Sequence, residues 1–145
     1  MEAVFMAGML FYLSVEDVRK KTIPVIPMMI FGVAGVAFHL YYGRLNIIAV
    51  TSGLIPGVIA YIISVLTAEK IGRGDALLLM VTGIYMGFWG NVFMLWFALI
   101  FAAIGGLIAM AFFKKPKGYE LPFVPFLLIS FALITVSGGM PQSIT

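Results

Sequence analysis

The chain has no cysteine, which excludes disulfides, thiolate zinc sites, iron–sulfur clusters and thiol nucleophiles. Histidine is nearly as scarce. His39 stands alone, which argues against a histidine-rich metal centre and against a Ser-His-Asp triad. Charge is the third shortage: only 10% of the 145 residues are Asp, Glu, Lys or Arg, against 63% hydrophobic. That balance marks a membrane protein and leaves no room for a separate soluble domain. Neither a cofactor, a metal nor a nucleic-acid partner is expected, and membrane lipids are the expected surroundings.

What the chain has instead is uncharged sequence. Such stretches run over residues 3–15, 23–43, 45–68, 76–113 and 121–145. Glu2 precedes the first stretch, and Arg19, Lys20 and Lys21 follow it. These flanks are the reverse of a secretory signal, so a retained first helix is expected. Crossing a ~30 Å hydrocarbon core takes roughly 20 apolar residues at 1.5 Å each. The fourth stretch would be about 57 Å long as one helix, far more than a span needs. A break is expected at Gly87-Phe88-Trp89-Gly90-Asn91, where two glycines, an asparagine and an interfacial tryptophan coincide. The reading is an all-α integral membrane protein: residues 1–145 form a single domain of six transmembrane helices.

The basic residues test that division. With six helices, Arg19, Lys20, Lys21, Lys70, Arg73, Lys114, Lys115 and Lys117 share one side and only Arg44 lies on the other. The positive-inside rule makes the crowded side cytoplasmic and both termini extracytoplasmic. Leaving the fourth stretch unbroken would move the lysines at 114–117 across and erase most of the bias. Small-residue spacings, Gly53 with Gly57 and Gly83 with Gly87, would let helix backbones approach closely, and Gly105-Gly106 would serve similarly.

Two acids then stand out. Asp17 closes the first apolar segment, and Asp75 opens the fourth within Gly72-Arg73-Gly74-Asp75. Ionisable groups beside the bilayer are costly and tend to be kept for function. Two carboxylates on one side can divide acid–base work, one activating water while the other holds a proton. Each also has an ordinary explanation: Asp75 as a plain N-cap of the fourth helix, Asp17 as a solvated partner of Arg19 and Lys20. His39, beside Tyr41, Tyr42 and Arg44, reads as an interfacial belt residue.

The context of these acids resembles the type IV prepilin peptidase family of GxGD-type membrane aspartic proteases. Asp17 is followed by a basic stretch and then Ile23-Pro24, with Val25 where asparagine is usual. Gly72-Arg73-Gly74-Asp75 has the GxGD form, with Leu77 where bacterial members commonly carry lysine. Leu121-Pro122-Phe123-Val124-Pro125 is similar to the family's Ile-Pro-Phe-Gly-Pro segment, with Val124 in place of glycine. The resemblance covers about residues 10–135 and is closest to the short, peptidase-only members that serve tight-adherence or archaeal pilin-like systems.

The resemblance implies a multi-pass protein of a prokaryotic cytoplasmic membrane. It implies Asp17 and Asp75 as catalytic residues, with Gly72, Gly74, Ile23, Pro24, Pro122, Phe123 and Pro125 shaping the site. The implied substrate is a type IV pilin-like precursor whose short basic leader is removed at the cytoplasmic face. Two other readings stay open on the sequence alone: a non-catalytic subunit of a pilus or secretion assembly machine, and an Mg²⁺-dependent lipid-phosphate enzyme.

Overall fold

A computed structural model of the chain describes residues 2–44, 46–68, 72–116 and 119–138. Among these residues there are five helices and no strand: α1 Glu2–Lys20, α2 Val25–Tyr41, α3 Ile47–Leu66, α4 Arg73–Phe112 and α5 Val124–Val136. Their limits follow local chemistry. Lys21 closes α1 in the left-handed region (φ 52°), its N–H bound to the Asp17 carbonyl at 2.8 Å. Pro24 is extended (φ −69°, ψ 120°) and hands the chain to α2. The Asn46 side chain accepts from the N–H groups of Ile48 and Ala49, capping α3.

Helix α4, 40 residues long, would reach about 60 Å if straight. It is not straight. Gly87 adopts φ 67° and ψ −175°, a conformation essentially confined to glycine. Beyond it the chain turns back: Asn91 Nδ2 donates to the Leu79 carbonyl at 2.7 Å, although a straight helix would separate these residues by about 18 Å. Lys115, just past the end of α4, stands on the Tyr119 ring together with Lys21 from the end of α1. Asp75, at the start of α4, interacts with Asp17, also near the end of α1. Both ends of α4 therefore lie at one end of the molecule, and the expected break falls at Gly87.

Glycines set the helix spacing. A Cβ on Gly53 of α3 would run into the Gly83 carbonyl of α4, and one on Gly83 into the Gly53 carbonyl; a Cβ on Gly57 would meet Met80. The second half of α4 receives α5 in the same way, with Phe126 over Gly105 and Leu121 over Gly106. Van der Waals contact of this kind holds helices together where apolar surroundings supply no hydrophobic drive. On α2, Gly35 makes room for the Tyr85 ring, whose hydroxyl donates to the Phe31 carbonyl at 2.5 Å. Met6, Met9, Leu10 and Leu13 of α1 meet Leu78, Met86 and Met94 of α4 and Leu127 and Phe131 of α5 in one core.

By length and composition α3 and α4 are apolar enough to cross a membrane, while α2 and α5 are apolar but shorter. Large side chains such as Ile26, Ile48, Trp96 and Phe112 point outward. The fifth uncharged stretch, residues 121–145, yields a shorter helix than expected: α5 has 13 residues, about 20 Å. Pro125 fixes its beginning, and Gly138 at φ 71° follows its end. Lys70 and Lys117, used above to assign the sides of the membrane, lie outside the described residues.

Candidate active site

Three chain segments build the acid-bearing end. Asp17, on the last turn of α1, is 6% exposed, and its Oδ2 accepts the Val124 N–H at 3.0 Å. The Phe123 N–H also favours the charged form. These donors belong to the N-terminus of α5, where the first N–H groups lack intrahelical partners and carry partial positive charge. Pro125, in the first turn, has no N–H to leave unpaired. The Pro122-Phe123-Val124-Pro125 segment thus forms a helix start that delivers its free donors to Asp17. Asp17 lies beyond the uncharged stretch of α1; burial raises its pKa, and the two backbone donors work against that rise.

Asp75 is the third residue of α4, on the first turn after Gly72. A Cβ on Gly72 would stand 3.0 Å from Asp75 Oδ2, so glycine here leaves the carboxylate its space. Its φ is −59°, which any residue can adopt; the requirement is room, not backbone freedom. A Cβ on Gly74 would press on Ile23, 3.1 Å from its Cβ. The Ile23-Pro24 turn and the Gly72–Asp75 turn are therefore in contact. The Asp17 charge acts on Asp75 as a repulsion, so the two carboxylates lie at the same end of the molecule.

The surrounding charges are placed differently. Glu16, next to Asp17 in sequence, pairs with Lys20 one turn on, at 2.9 Å. Lys21 and Lys115 stand over the Tyr119 ring at 4.7 and 4.9 Å from its centroid, tying the α1–α2 connection to the α4–α5 connection. Among the described residues no group of three or more His, Asp or Glu side chains is arranged to hold a metal.

Two residues at the far end have roles the sequence did not reveal. Asn91, read above as a loop-former, is fully buried. Its amide donates to the carbonyls of Leu79 and Gly53, and its oxygen accepts from the Thr82 hydroxyl at 2.9 Å. His39 is 5% exposed and is not a lipid-facing belt residue. Its Nε2 lies 2.8 Å from the Ile84 carbonyl; a carbonyl only accepts, so Nε2 carries the proton. The available signal for Asn91 was a lone polar residue near the glycine break.

Comparison with curated proteins and with solved structures finds no match. A family model, the type IV leader peptidase family, matches residues 4–110, about three quarters of the chain. The match includes Asp17, Ile23-Pro24, Gly72–Asp75 and the broken helix; α5 lies beyond it. On that match the chain belongs to the type IV leader peptidase family, a family of proteases.

Proposed function

We infer that this chain is a membrane-embedded aspartic endopeptidase that removes the basic leader from type IV pilin-like precursors, with Asp17 and Asp75 as its catalytic pair. One observation carries the reading. Two acids from separate helices come within electrostatic reach of each other, and the N-terminus of α5 donates to one of them. Adjacent carboxylates do not ionise together readily and share a proton. The Val124 and Phe123 donors favour the charge on Asp17, so Asp17 takes a proton from the attacking water. Asp75 holds the shared proton and donates it to the scissile carbonyl oxygen. Collapse of the tetrahedral species breaks the C–N bond, and a proton from the pair passes to the leaving amine.

The proposed setting is a multi-pass protein of a prokaryotic cytoplasmic membrane. It has six spans if both halves of α4 cross, with the acid end cytoplasmic and both termini outside. The basic residues Arg19, Lys20, Lys21, Lys114 and Lys115, on the segments that meet there, support that orientation. A reporter fused after Thr145 should read as extracytoplasmic and one inserted beside Lys115 as cytoplasmic. The reverse pattern would remove Asp75 from the leader and defeat the proposal.

The decisive test is cleavage of a pilin-like precursor by the purified protein. Because a carboxylate pair activates water directly, activity should survive strong chelators. Loss in chelator with recovery in Mg²⁺ would favour a metal-dependent enzyme instead. A protein that assembles with the pilus apparatus yet cuts nothing would be the non-catalytic subunit.

A further inference from the structure

The leader-peptidase reading creates an electrostatic difficulty at the acid end. A basic leader must settle beside Arg19, Lys20, Lys21, Lys114 and Lys115, whose net charge repels it. Outside the acid pair the described acids at this end are Glu16, taken up by Lys20, and the exposed Glu120 beside Tyr119, too few to offset the five bases. An aromatic face attracts a cation through its quadrupole and needs no net negative charge. Tyr119 offers such a face, and it is in use: the Nζ atoms of Lys21 and Lys115 lie 4.7 and 4.9 Å from its centroid. The ring therefore holds ammonium groups within the field that would otherwise exclude them.

Its position suits a leader. Tyr119 lies five residues before Val124, whose N–H holds Asp17, and five extended residues reach at most about 17 Å. A leader side chain up to roughly five residues from the scissile bond has the reach to arrive at the ring. The ring is 37% exposed. Both lysines are exposed as well, so water receives either ammonium if it leaves.

We propose that Tyr119 is a subsite for a basic side chain of the leader, which Lys21 and Lys115 occupy in the free protein and yield to the substrate. The proposal rests on the leader-peptidase reading. It makes the two lysines internal competitors and Tyr119 a determinant of specificity.

The test pairs the full-length protein in vesicles with two precursors, one bearing lysine and the other glutamine at the leader positions within five residues of the cut. Tyr119→Leu should raise KM about two- to fivefold for the lysine leader, the range for an exposed cation–π contact. It should leave kcat, and KM for the glutamine leader, nearly unmoved. Tyr119→Phe, which keeps the ring, should retain the preference for lysine. Lys21→Gln with Lys115→Gln should lower KM for the lysine leader. Equal KM shifts for both leaders would overturn the proposal. So would lysine variants whose effect follows the anionic lipid content of the vesicles rather than the leader charge.

Binding of a labelled leader peptide to an Asp17→Asn, Asp75→Asn protein reads the subsite without turnover. Lysine-dependent binding that Tyr119→Leu abolishes, alongside a parent protein that cleaves neither precursor, would break the catalytic reading and leave the subsite standing. Binding indifferent to lysine or to Tyr119 would overturn the subsite alone.

Discussion

The two ends of the molecule treat polar groups in opposite ways. At the end formed by the turn of α4, polar side chains are buried and matched to partners: His39 to the Ile84 carbonyl, Asn91 to Leu79 and Gly53, and Thr82 to Asn91. At the acid end, two carboxylates repel each other, and the nearby cations rest on an exposed ion pair and an exposed ring. Fully satisfied polar networks stabilise a fold, whereas like charges held together cost stability. The far end holds a bend with matched polar groups, and the acid end keeps two like charges together.

That contrast fails or sharpens under mutation. The largest effect belongs to the acid pair. Asp17→Asn and Asp75→Asn should each reduce cleavage by a factor on the order of 10²–10⁴ while the protein still inserts and folds. The double variant should be hardly worse than either single, because residues acting as a unit are non-additive. Processing by Asp75→Asn at normal rates would show that the wrong acids are named.

Next comes the bend. Asn91→Leu removes the partner of two buried carbonyls and of the Thr82 hydroxyl, which should cost roughly 1–3 kcal/mol in thermal unfolding. Loss of activity should follow loss of fold. If the variant melts like the parent but is inactive, the far end is not merely structural. The smallest effect is expected at Glu16→Gln. The Lys20 pair is exposed on its lysine side, and exposed pairs contribute little to stability. Activity should persist, since neighbouring helix positions point about 100° apart. An inactive Glu16→Gln protein would place the chemistry on Glu16 instead of Asp17.

Much of the bend was legible because its cause is local. Gly87 sits inside an uncharged stretch too long for one span, and only glycine tolerates its backbone angles, so the break could be placed without knowing any neighbour. The contacts of Gly53, Gly57 and Gly105 were legible for a related reason: a missing Cβ permits close approach whatever arrives. Asn91 illustrates the limit. Beside two glycines it reads as loop chemistry, and only the return of α4 against α3 brings the Gly53 and Leu79 carbonyls to its amide.

The sequence by itself determined the apolar character, the helical composition and the break at Gly87. These follow from composition, chain length and steric rules that act over a few residues. Tertiary structure alone decided that Val124, more than a hundred positions away, would donate to Asp17, and that Ile23 would pack against Gly74. It also decided that Tyr119 would gather two lysines and that His39 would be buried. Each of these depends on which helix faces meet. A helix reports its faces through its own periodicity, but its neighbours are chosen by the packing of the whole chain, where close van der Waals fit and the satisfaction of buried polar groups are settled together.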